Sequence, residues 1–193
     1  MPSWPELGGP ARAIGGAINA AVDAALTANR LGFEPAAAAV ANLPAEQTGL
    51  VLGTVVRLLL EAQHPGGLDS DDMREVLRRC YQAAIVWLPS RSVSVESLLA
   101  VLSSALGIHE PGVTYAEITE PPSTLRRESH RDEWQDPKTS GESDRSGPPT
   151  SVEYAWHAPL LIADLLNAGG RRLTRYLDEA FGEIIRTETM ELP

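Results

Sequence analysis

The sequence predicts an all-α fold, a bundle of about six or seven helices with a long disordered charged insert before the last two or three. Three observations carry this. Apolar residues recur at helical spacing in one segment after another. Capping residues open those segments and glycine or proline closes them. No segment alternates apolar and polar residues as a strand would. With 193 residues, 43% of them hydrophobic, the chain can bury a core of its own. Aromatics are 5%, so that core is built from Leu, Val, Ile and Ala.

Residues 1–9 are rich in Pro and Gly and are expected to be a flexible N-terminus. Pro10 suits a first helical turn, where its missing N–H is not needed. A helix is predicted from there to Leu31, with Gly32 as its stop. Ile14, Ile18, Val22 and Leu26 line one face, and Gly15-Gly16 weakens the first turns. Pro35 to Ala41 reads as a short Ala-rich helix, broken at Leu43-Pro44. Pro44 then opens a helix to about Gln63 that is apolar on nearly every side (Leu50, Val51, Leu52, Val55, Val56, Leu58, Leu59, Leu60). Such a helix is normally central and buried. Pro65-Gly66-Gly67 ends it.

Asp69 is the N-cap of the most secure element, with Asp71 and Asp72 favoured in its first turn by the helix dipole. Leu68 and Met73 are placed as a hydrophobic staple. The stripe Met73, Val76, Leu77, Cys80, Tyr81, Ala84, Ile85, Leu88 runs to Pro89. Val93, Ser94 and Leu98 repeat the staple-and-cap pattern, and that helix ends at Leu106 with Gly107 as its terminator and Ile108 folding back. Thr114 and Glu117 suit a capping box for one short turn of helix.

From Pro121 to Pro149 the composition changes to Pro, Ser, Gly and charged residues, with Leu125 and Trp134 the large apolar exceptions. Such a segment buries too little surface to offset its ordering entropy. Thr150 and Glu153 suggest another capping box. The helix that follows to Leu166 is expected to kink or split at Pro159. Asn167-Ala168-Gly169-Gly170 breaks it. A last helix spans about Arg171 to Thr187 on the stripe Leu173, Leu177, Ala180, Phe181, Ile184, Ile185. The organisation is therefore 10–120 as a helical domain, 121–149 as a disordered linker, 150–188 as C-terminal helices packing back on that domain, and 189–193 as a tail.

Charge and composition exclude several functions. The formal net charge is −10, which disfavours nucleic acid in the absence of a local basic patch. The N-terminus lacks the basic-then-apolar pattern of a secretory signal. No uncharged apolar run reaches the roughly 18–20 residues that span a bilayer; Leu50–Leu60 is short and contains Arg57. The single cysteine, Cys80, forms no intrachain disulfide, which fits a reducing compartment. A cytoplasmic location is the expectation.

The candidate chemical motifs in the chain have plainer readings. Glu153 and His157 share a helix face at i, i+4, but a metal needs a third ligand, so a surface pair is expected. His109-Glu110 runs into Pro111 and is no zinc-protease motif. His64 and His130 lie apart from both. Asp69-Ser70-Asp71-Asp72 resembles the start of a calcium loop, yet Arg74 and Cys80 stand where glycine and glutamate are required. Cys80 lies on an apolar stripe and reads as a small core residue. No Gly-x-Ser-x-Gly, phosphate loop or dinucleotide fingerprint is present. Arg171, Arg172 and Arg175 are balanced by Asp178, Glu179 and Glu183, which suggests a solvated, salt-bridged face. Arg126-Arg127-Glu128-Ser129 matches the preference of basic-directed kinases, making Ser129 a candidate phosphosite. The sequence thus implies no catalytic residue, metal or cofactor.

The charge distribution says more. Through residue 60 there are four acids (Glu6, Asp23, Glu34, Glu46) and three bases (Arg12, Arg30, Arg57). So few charges leave little for a solvated face. This third is either the interior of the fold or a surface that meets another chain, and the rarity of large apolar patches on monomers favours the second. Ile14, Ile18, Ala21, Val22 and Ala25 are then the candidate interface, and self-association or a protein partner is expected. The function predicted is a non-catalytic helical adaptor, scaffold or accessory subunit. Two alternatives stand beside it: a small-molecule-binding helical domain, with its pocket among the leucines and Trp87 or Trp156, and an all-α enzyme with a dispersed site.

Overall fold

The computed structural model describes residues 3–89, 92–107 and 151–190, and every regular element among them is helical. A 3-10 turn, Trp4–Glu6, precedes seven α-helices: α1 Gly9–Leu26, α2 Arg30–Ala41, α3 Ala45–Gln63, α4 Ser70–Ile85, α5 Val95–Ala105, α6 Ser151–Gly169 and α7 Leu173–Met190. The expected insert at 121–149, the turn of helix at Thr114–Glu117, Ile108 and the cap at Thr150 lie outside the described residues.

The first break differs from the expected one. α1 ends before Gly32, at Leu26, and Pro35 lies inside α2. The Asn29 N–H donates to the Ala24 carbonyl at 2.9 Å and the Ala28 N–H to the Ala25 carbonyl at 3.1 Å. This paired termination places Ala28 in the left-handed region at φ +50°, a position usually held by glycine. Asn29 then caps α2, its side chain accepting from the Gly32 N–H at 3.1 Å. Gly32 and Pro35 are weak obstacles once a cap is established upstream of them.

Local signals further along act as expected. The Asp69 carboxylate accepts from the Asp71 and Asp72 N–H groups at 2.8 Å, and Asp72 returns the interaction at the Asp69 N–H, completing a capping box. α4 stops at Ile85, and the chain beyond it still buries Leu88. Ser94 caps α5 through the Ser97 N–H, and Val93 and Leu98 are both buried. Gly107 and Gly170 take positive φ at helix ends, as their places in the sequence suggest.

The centre of the molecule is α6, which packs against α1, α2, α3, α4 and α5. Its Ala155, Ala158, Leu160, Leu161, Ile162, Ala163, Leu165 and Leu166 are all buried. Pro159 neither splits nor ends it. One lost backbone bond costs about 3 kcal/mol, and burial of several large side chains at ~1.5–3 kcal/mol each outweighs that. α3 is buried along most of its length, although Leu50 is exposed.

The N-terminus is docked where its composition predicts a loose segment. The Trp4 ring lies on Gly15, where a Cβ would stand 2.3 Å from the indole. The Asp178 carboxylate accepts from Ser3 Oγ at 2.9 Å and from the Trp4 N–H at 2.7 Å. Asp178 is therefore a tether rather than part of a solvated face. Glu183 also has an internal partner, pairing with Arg57 of α3. Arg171 precedes α7 and bonds the Ala62 carbonyl and the Tyr176 hydroxyl. Among the described residues no helix is long and apolar enough to cross a membrane.

Candidate functional site

Four of the five candidate interface residues are turned inward. Ile14, Ile18, Ala21 and Val22 are buried in the common core, and Ala25 is half-buried against it. The low charge of the first third is thus accounted for by the interior of the fold: α1 packs on α2 and α6. Ser129 lies outside the described residues.

Exposed apolar side chains occur elsewhere. Phe33 of α2, fully buried, meets Trp87 and Trp156 edge-on, with ring centroids 5.4 and 5.2 Å apart. Three aliphatic residues near these rings in the chain are exposed: Leu31 at 86%, two residues before Phe33, Val86 at 84%, next to Trp87, and Val152 at 60%, one helical turn before Trp156. Adjacent Cα atoms are about 3.8 Å apart and i, i+4 positions about 6 Å. Val86 and Val152 thus lie close in the chain to the two indoles, whereas Leu31, two positions from the buried Phe33, faces the opposite side of α2. The Phe33 ring packs against both indoles. Periodicity gives a partial signal for this surface: Val86 falls off the α4 stripe, and Val152 precedes α6's buried run.

A second feature is a polar cleft of about 420 Å³ between the C-terminal ends of α3 and α6 and the first half of α4. His64, Asp72, Glu75, Arg79 and Arg171 contribute its charged lining. Most of these groups already have structural partners. His64 Nδ1 stands 3.4 Å from Asp72, which also serves the capping box. Arg79 is bonded through Nε and Nη2 to Asp164. Arg171 donates to the Ala62 carbonyl of α3, and the Gln63 amide donates to the Leu165 carbonyl.

The remaining reactive side chains are enclosed. Cys80 is buried, and desolvation pushes its thiol pKa far above the usual range. His157 does not form a surface pair with the Glu153 side chain. Its ring is buried, Nε2 accepting from the Ser94 N–H at 3.1 Å and Nδ1 lying 2.8 Å from the Glu153 carbonyl. Burial lowers its pKa, opposed by the backbone bond and by the Glu153 charge. Among the described residues no three His, Cys, Asp or Glu side chains converge as metal ligands. The chain matches no family model, no curated protein and no solved structure.

Proposed function

We propose that this chain is a non-catalytic helical adaptor or accessory subunit, cytoplasmic, that acts by apolar contact with a protein surface at the Phe33–Trp87–Trp156 end. The supporting observation is that Val86, next to Trp87, and Val152, one helical turn before Trp156, are both exposed aliphatic residues. Aromatic residues are enriched where proteins meet, and exposed aliphatic side chains gain by leaving water. Several charged side chains serve the fold itself, as the pairs Arg79–Asp164 and Arg57–Glu183 illustrate.

The experiment compares wild type with Val86→Glu/Val152→Glu by sedimentation and by copurification from native lysate. The reading expects an oligomer or a stoichiometric partner that the paired substitution abolishes while helicity is kept. An exposed control, Gln82→Glu, should change nothing. A wild type that sediments as a monomer and copurifies with nothing overturns it.

The polar cleft favours a second reading, a small-molecule-binding domain. Native mass spectrometry that finds a bound metabolite, lost on Arg171→Ala, would select that reading over the first.

A further inference from the structure

Helix α5 lies across the first turns of α6 and is attached at both ends. At its start the Ser94 N–H donates to His157 Nε2 at 3.1 Å. At its finish Ser104 hydrogen-bonds the Tyr154 hydroxyl. Because Nε2 accepts, the proton of the neutral ring resides on Nδ1, which donates to the Glu153 carbonyl at 2.8 Å. Both ring nitrogens are therefore engaged inside the core, where the residue is 5% exposed.

Ser94 also organises the N-terminus of α5. Its Oγ accepts from the Ser97 N–H and donates to the Glu96 carboxylate. The contact with His157 thus connects the interior of α6 to the cap of α5. A second proton on the ring would have to sit on Nε2, aimed at the Ser94 N–H. Two donors would then face each other, so protonation and this contact exclude one another.

We propose that the α5–α6 seam is an acid-released latch: proton uptake at His157 expels the Ser94 N–H, uncaps α5 and loosens it from α6. Few charges nearby could offset the buried cation. Glu153, one turn earlier, is the charge that acts on the ring and favours its protonation. Tyr154, also facing α5, is neutral in this range, its pKa raised by burial. Glu96 of α5 is held by Ser94. On the other helices packed on α6, Arg79 of α4 is bonded to Asp164, two turns further along. Arg57 of α3 pairs with Glu61 and Glu183, and Arg30 of α2 with Glu34. Asp23 of α1 accepts from Asn19, and Arg12 is exposed.

The direction of the effect follows from linkage. Burial holds the folded ring below the ordinary histidine pKa of about 6.5. The latch is then fully closed above that value. As pH falls below it, the open form binds one proton more than the closed form, so opening gains up to about tenfold per pH unit.

Amide hydrogen exchange on the full chain between pH 7.5 and 4.5, corrected for intrinsic rates, tests this. Exchange across Val95–Ala105 should rise by up to about tenfold per unit below pH ~6.5, while α1 stays protected. His157→Gln presents a non-titrating acceptor to the Ser94 N–H and should remove the acid dependence. A wild type whose α5 stays protected to pH 4.5, or a folded His157→Gln with the same acid response, overturns the latch. If His157→Gln does not fold, nitrogen NMR of the wild-type imidazoles decides, assigned with variants at His64, His109 and His130. Protonation of His157 that coincides with α5 exchange supports the latch. Exchange with the ring still neutral, or protonation with α5 still protected, overturns it.

Discussion

The guanidinium of Arg79 on α4 grips the carboxylate of Asp164 on α6, Nε donating to Oδ1 at 3.1 Å and Nη2 to Oδ2 at 2.8 Å, with the Asp164 side chain only 9% exposed. Two parallel bonds fix both distance and orientation between the outer helix and the central one. Removing the arginine would leave a carboxylate largely cut off from water. Arg79→Ala is expected to cost about 1–3 kcal/mol, less than for a fully buried pair because one side of Arg79 faces solvent. Urea denaturation of Arg79→Ala, Asp164→Ala and the double variant measures the coupling. Purely additive losses would show that the geometry contributes nothing.

Ala21 is completely buried on α1. A carboxylate at this position has no partner and no water, so Ala21→Asp should cost more than ~4 kcal/mol. Circular dichroism should show loss of the fold at ordinary temperature. If the variant were instead a folded monomer released from a wild-type oligomer, α1 would have to carry an exposed interface after all.

Ala28 terminates α1 with φ at +50°, a conformation that costs an L-residue roughly 1–2 kcal/mol relative to glycine. Glycine loses part of that advantage through its greater freedom when unfolded. Ala28→Gly should therefore stabilise by about 0.5–1 kcal/mol, raising Tm by about 1–3 °C. An unchanged or lower Tm contradicts the termination described.

Cys80 is buried and its thiolate is strongly disfavoured by desolvation. A thiol reagent at neutral pH should react at the rate of global opening, accelerating with denaturant in step with unfolding. Rapid labelling of the native protein would mean that α4 detaches on its own.

The features legible in the sequence are those whose partners lie within one turn. Asp69 and Asp72 complete their capping box with each other and with neighbouring amides, and Ser94 reaches its own third residue. The stripe on α4 located the buried Val76, Leu77, Cys80 and Ala84 because a helix repeats its face every 3.6 residues. The first break is not legible in the sequence because its left-handed residue is alanine, which carries no compositional mark. Gly15 signals a weak helix in sequence, yet it serves as the seat of Trp4.

That the chain is helical, where most of the described helices start and stop, and that the aliphatic stripes face a core all follow from local sequence. These depend on caps, terminators and periodicity, whose interactions reach no further than about four residues. Tertiary structure alone decided that α6 is the centre and that α1 is interior rather than interface. It also brought Phe33 between Trp87 and Trp156, and His157 to the start of α5. Those relationships join side chains tens of residues apart, and packing selects among apolar faces that are equivalent in composition. An apolar stripe states that a surface will be covered; the shape of the remaining helices determines what covers it.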